Sequence, residues 1–119
     1  MTDEDRRAAG TALAQRLFAG VKTGVRLPKR LADYTVEHVF GDVWQGDELA
    51  LEERSLVTCT LLVALNREEE QRLHFAAARN LGIPRRKLEG VIIQAAHYAG
   101  WPSAVGASRV LDEVWPEDG

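Results

Sequence analysis

The sequence contains a single cysteine, Cys59, in 119 residues. One thiol cannot build an intrachain disulfide framework, nor any Cys-x-x-Cys redox or zinc motif. A dense basic patch is also missing. Fifteen Lys and Arg stand against eighteen Asp and Glu, for a net charge of −3, so a nucleic-acid partner is not expected. Long apolar runs are absent: the apolar, uncharged stretch from Ser55 to Asn66 is too short to span a bilayer. The N-terminal Thr2-Asp3-Glu4-Asp5-Arg6-Arg7 has none of the pattern of a signal peptide. No stretch alternates apolar and polar residues over a useful strand length, and nothing repeats at a solenoid period. What remains is an expectation of one soluble, cytoplasmic domain over residues 1–119. Its 45% apolar content argues against disorder.

The residues that are present predict an all-α fold of about six helices. Thr2 with Asp5 three residues on reads as a capping box for a first helix to about Phe18. Leu13 and Leu17 lie one turn apart there and need a surface to pack on, such as a neighbouring subunit. Pro28 suits the first turn of a second helix, carrying Leu31, Tyr34, Thr35, His38 and Val39 and ending at Gly41. A third helix over Leu51–Leu65 carries no charge from Ser55 onward, which predicts burial on both faces. Arg54, Thr58, Leu61 and Leu65 share a stripe on it, so Arg54 is expected at the mouth of a buried face. Gly82 closes a fourth helix. Pro84 is expected at the first position of a fifth, with Leu88, Val91, Ile92, Ala95 and Ala99 inward and His97 opposite. Pro102 starts a last helix with Val105, Val110, Leu111 and Val114 as its apolar contacts. So many apolar faces on so short a chain predict an obligate oligomer.

The fourth helix is the informative one. At about 100° per residue, Leu73, Ala77 and Leu81 define its predicted core stripe. Glu70 and His74 fall inside or beside that stripe, one turn apart, while Arg72 and Arg79 point away. A carboxylate next to an imidazole on an apolar face is a candidate proton-handling pair. The same spacing also describes a structural hydrogen-bonded pair.

Five segments in order, His38-Val39-Phe40-Gly41-Asp42-Val43-Trp44, Arg54-Ser55-Leu56-Val57-Thr58, Leu65-Asn66-Arg67 through His74, Ala78-Arg79-Asn80-Leu81-Gly82-Ile83 and Tyr98-Ala99-Gly100-Trp101-Pro102, together resemble the carboxymuconolactone decarboxylase family. The resemblance runs from the first helix to about Leu111. It implies an alkylhydroperoxidase D-like helical subunit and a homo-oligomer, a hexamer or trimer. It also implies decarboxylation of 4-carboxymuconolactone to 3-oxoadipate enol-lactone in aromatic catabolism, with no metal or organic cofactor. Related thiol peroxidases carry Cys-x-x-Cys before the histidine. Here Arg67 and Glu70 stand in those places, so no resolving thiol exists and peroxidase chemistry fails.

Carried onto this chain, the resemblance gives His74 the proton transfer, or donation to the oxyanion that develops on the substrate carbonyl. An ordinary imidazole pKa near 6.5 would make either form available. Glu70 would orient His74 or act as the acid. Arg54 would grip a substrate carboxylate in its planar fork; otherwise it is an ion-pair partner for another helix. His38 and Trp44 would complete the pocket; otherwise His38 caps or faces solvent, and Trp44, like Trp101, packs. The last third departs from the family pattern at His97, Trp101, Val105 and Gly106. That keeps two rival readings open: an enzyme for a different small carboxylated or lactone-like substrate, and a non-catalytic ligand-binding member. His97 is expected at a subunit interface.

Overall fold

The computed structural model describes residues 1–22 and 24–117. The described residues form six α-helices and no strand: α1 (Asp3–Leu17), α2 (Lys29–Tyr34), α3 (Leu51–Ala64), α4 (Glu68–Asn80), α5 (Arg85–Ala99) and α6 (Trp101–Val114). Among the described residues, no helix is long and apolar enough to cross a membrane.

Local chemistry sets the helix ends. Thr2 Oγ1 accepts from the Asp5 amide at 3.0 Å and Asp5 Oδ2 accepts from the Thr2 amide at 3.1 Å, closing the expected capping box. Asn66, at φ 59°, and Gly82, at φ 82°, take the left-handed conformation that ends α3 and α4. Pro84 is the residue before α5 rather than its first. The sequence did not disclose that α2 runs on into a π-helical turn, Thr35–Phe40. A short 3₁₀ turn, Val43–Gln45, follows.

Two apolar clusters organise these elements. The larger joins α3 to α6 through Cys59, Val63, Phe75, Ala78, Leu88, Ile92, Ala107 and Val110. The smaller clasps α1 and the π turn onto α4 through Leu17, Phe40 and Ala77, with Leu13, Phe18, Trp44 and Leu81 at its edge. The α1 helix therefore packs within its own chain, and a neighbouring subunit is not what covers Leu13 and Leu17. The approach is backbone to backbone: a Cβ on Gly10 would stand 2.0 Å from the Val36 carbonyl oxygen, and one on Gly41 2.3 Å from that of Arg6.

This arrangement corrects the predicted faces of four helices. On α4 the buried residues are Gln71, Phe75, Ala77 and Ala78, whereas Leu73 and Leu81 are only half-buried. The helix is buried on two sides: Ala77 belongs to the smaller cluster, Phe75 and Ala78 belong to the larger, and Leu81 packs against both. On α3 only Ser55, Cys59 and Val63 are fully covered. Leu61 and Leu65 remain 56% and 62% exposed, so the uncharged half of this helix is not buried on both faces. On α5 and α6, Ala99 and Val105 are exposed, while Ala96, Ala104 and Ala107 supply contact.

Candidate active site

His74 sits where the two clusters meet. Its ring stacks on Trp44 (centroids 6.3 Å apart, 26° between planes) and meets Phe18 edge-on at 5.5 Å. Phe18 and Trp44 each contact Phe40 at 5.7 Å, so two aromatic rings wall the imidazole and Phe40 ties them together. Each arrives by a different route. Phe18 ends α1, and the Asn80 amide donates to the Leu17 and Ala19 carbonyls on either side of it, at 2.8 and 2.9 Å. Phe40 and Trp44 come from the π turn and the 3₁₀ turn after it. From the far side, the Cys59 thiol of α3 donates to the His74 carbonyl at 3.6 Å. Burial pushes that thiol up to about 12, so Cys59 is an inert core group.

The same enclosure changes the protonation state expected of His74. Burial lowers its pKa to about 4, because an imidazolium would lose its hydration against aromatic rings. Nδ1 is buried with no hydrogen-bond partner among the described residues. At neutral pH the ring is therefore neutral, not poised between two forms as its ordinary pKa implied. A neutral imidazole suits N–H donation to a developing oxyanion better than it suits service as a strong acid.

Glu70 does not turn inward. It is exposed, and its carboxylate makes no hydrogen bond or ion pair among the described residues. It instead edges a cavity of about 380 Å³, walled by Leu73, Arg72, Glu69 and by Lys22, Val25 and Leu27 of the loop between α1 and α2. Arg72 in that wall is already held by Glu69 at 2.6 Å and Glu113 at 2.7 Å.

Arg54 lies in the first turn of α3 with a side chain only 13% exposed. Its Nη2 donates to the Gly46 carbonyl at 3.1 Å and to Glu48 Oε1 at 2.9 Å, while Nε is buried without a partner among the described residues. It borders a second cavity, about 360 Å³, together with Asp42, Val43, Gly46, Glu48 and Leu49. The segment 42–49 thus faces two ways: Trp44 reaches His74 and Gly46 reaches Arg54. His38 is not part of this arrangement. It is exposed on the π turn against Tyr34, with centroids 5.4 Å apart, and no ring or hydrogen-bond contact joins it to His74.

The structure therefore unites His74 with Trp44, places Arg54 on the other side of the same turn, and leaves Glu70 and His38 at the surface. Phe18, Phe40 and Asn80 were missed as site-building residues. Nothing local marks them, since Phe18 meets His74 only through the docking of α1. The departures at His97 and Trp101 do not shape a pocket wall. Both are exposed and touch edge-on at 5.5 Å at the α5–α6 corner. Among the described residues, no group of three or more His, Cys, Asp or Glu is placed to hold a metal ion.

Comparison with known proteins bears on this site. Residues 29–113 match the carboxymuconolactone decarboxylase family. The chain is 32% identical over 126 aligned positions to 4-carboxymuconolactone decarboxylase of Acinetobacter baylyi, covering all of this chain and 93% of that protein. It is 34% identical over 78 positions to nitrosuccinic acid decarboxylase of Metarhizium robertsii, covering 66% of this chain and 54% of that one.

Proposed function

We propose that this chain, which belongs to the carboxymuconolactone decarboxylase family and is a carboxy-lyase, converts 4-carboxymuconolactone to 3-oxoadipate enol-lactone in aromatic catabolism. The end-to-end similarity to the Acinetobacter protein carries the reading. Its chemistry asks little of the protein. When the carbon–carboxylate bond breaks, the electron pair spreads through the ring double bond into the lactone carbonyl, so the substrate is its own electron sink and no organic cofactor is needed. The remaining tasks are to hold a carboxylate, stabilise negative charge on the carbonyl oxygen and return a proton to carbon.

His74 is assigned the second task. A neutral N–H inside an aromatic box, with little water to compete, is a strong donor to an oxyanion at low local dielectric. Arg54 holds a substrate carboxylate. Trp44, between them, packs on the substrate ring. Glu70, at the edge of its cavity, returns the proton. Its exposure lets it be recharged from solvent after each turnover. His38 plays at most a peripheral part.

The similarity to a nitrosuccinic acid decarboxylase favours a second reading, in which the substrate is another small carboxylated compound. A nitro group next to the departing carboxylate takes up the electron pair as a lactone carbonyl does, so the same His74 and Arg54 would serve.

The assembly belongs to the same proposal. Val57, Leu61 and Leu65 form an exposed apolar stripe on α3, and Ile93, Trp101 and Val105 add apolar surface on α5 and α6. Such surface on a small chain supports a homo-oligomer, a hexamer or trimer, with His97 beside Trp101 at an interface. Release of carbon dioxide from 4-carboxymuconolactone by the purified protein tests the reaction. Turnover well above the uncatalysed rate is expected, and none above background would remove this substrate.

A further inference from the structure

We propose that Glu48 is a gate on Arg54: its carboxylate holds the guanidinium that the substrate's carboxylate takes over, so Glu48 sets affinity and admits ligands able to exchange one carboxylate for another. The inference rests on reading this site as one for a carboxylated substrate.

The two partners are held very differently. Arg54 is almost wholly covered, is tied to the Gly46 carbonyl, and sits in the first turn of α3, where the helix dipole disfavours a cation. It needs an anion. Glu48 belongs to a loop, and its side chain is 77% exposed. An ion pair with one such exposed member is weakly held and readily exchanged.

Glu48 also leaves the fork half used. Only its Oε1 bonds, and only to Nη2, while the buried Nε has no partner. A planar carboxylate presented edge-on can accept from Nε and Nη2 together, the two-point geometry that guanidinium favours. An incoming carboxylate thus gains a hydrogen bond that Glu48 does not make. Charge requires the exchange as well. The cavity wall carries one cation, Arg54, and two carboxylates, Asp42 and Glu48, with Asp42 lying 3.9 Å from Arg6 of α1. A third carboxylate beside them would be repelled unless Glu48 withdrew. Gly46 makes room for the contact: a Cβ there would stand 2.2 Å from Glu48 Oε1 and 3.0 Å from Arg54 Nη2. Glu48 lies four residues after Trp44, in the same loop segment whose Trp44 stacks on His74.

Calorimetric titration with itaconate, an unsaturated dicarboxylate with no lactone to react, tests the gate at low salt. Glu48→Gln should tighten binding about two- to five-fold, the range an exposed ion pair commands. Arg54→Gln should weaken it more than tenfold. Asp47→Asn removes the same charge one residue before Glu48 and should leave affinity unchanged. The proposal is overturned if Glu48→Gln binds no better than the parent, if Asp47→Asn tightens binding equally, if Arg54→Gln has no effect, or if neither the parent nor Glu48→Gln binds. Carbon dioxide release by the same proteins reads the reaction separately. Glu48→Gln should lower KM without raising kcat, whereas the expected itaconate pattern without turnover would keep the gate and discard the proposed substrate.

Discussion

Replacing Gly10 by alanine sets two physical effects against each other. In a helix interior, glycine to alanine is favourable by about 1 kcal/mol, because alanine loses less backbone freedom. Here the new methyl would lie 2.0 Å from the Val36 carbonyl oxygen and 2.9 Å from the Gly41 amide nitrogen. Both distances are far inside the roughly 3.5 Å of an ordinary carbon contact. The clashing atoms are backbone, so no rotamer change relieves them and α1 must move off the π turn. Overpacking of this kind costs about 1–3 kcal/mol, and so close a contact belongs at or beyond the upper end. The net expectation is a loss of about 2 kcal/mol. At about 4 °C per kcal/mol for a domain of this size, Tm should fall by about 8 °C. Gly90→Ala is the control. It lies exposed in α5 with nothing within 4 Å of the added methyl, so it should be neutral or stabilising by up to about 1 kcal/mol. Thermal melts followed by circular dichroism at one protein concentration compare the two. A Gly10→Ala protein that melts at or above the parent temperature would refute the backbone contact and, with it, the docking that delivers Phe18 to His74.

Three further outcomes follow from particular contacts. The folded pKa of His74 lies near 4 against an unfolded value near 6.5, so below pH 6.5 the unfolded chain binds a proton that the fold refuses. Stability is unaffected above that pH and is lost between about 6.5 and 4, by about 3 kcal/mol in all; urea melts of the parent should show this loss and those of His74→Asn should not. Asn80→Ala removes both amide bonds that hold the Leu17–Ala19 end of α1, and should cost about 1–3 kcal/mol in urea melts while lowering kcat more than it raises KM. Leu61→Asp places a charge in the exposed α3 stripe and should shift the protein to smaller species in light scattering; an unchanged mass would put the interface elsewhere.

Much of the fold was legible because its signals are local. Thr2 with Asp5, Asn66, Gly82 and Gly100 mark helix ends through hydrogen bonding or backbone conformation that neighbouring residues alone determine. Helix faces were less legible. A periodicity argument assumes one buried side, whereas α4 is buried on two, so the single stripe through Leu73 and Leu81 left out Phe75 and Ala78 and made Glu70 an inward group. The α3 stripe failed for the opposite reason: Leu61 and Leu65 are apolar yet uncovered within one chain. In the site, His74 and Trp44 were readable as residue types, but their contact depends on the π turn, which adds a residue to the helical turn and re-aims Phe40 and the segment after it. The lowered pKa of His74 was not readable at all. It comes from Phe18 and Trp44, distant in sequence, and not from the carboxylate one turn away.

The central claim is that a neutral, aromatic-boxed His74 stabilises charge as carbon dioxide leaves a small carboxylated substrate. Carbon dioxide release from 4-carboxymuconolactone by the parent protein and by His74→Ala, measured across pH 5.5 to 8, addresses it most directly. The parent should turn over with no rate limb near the ordinary histidine pKa of about 6.5, and His74→Ala should lose about 10²-fold or more in kcat while remaining folded. Equal rates for the two proteins, or a parent profile that rises or falls through pH 6.5 and is flattened in His74→Ala, would contradict the account.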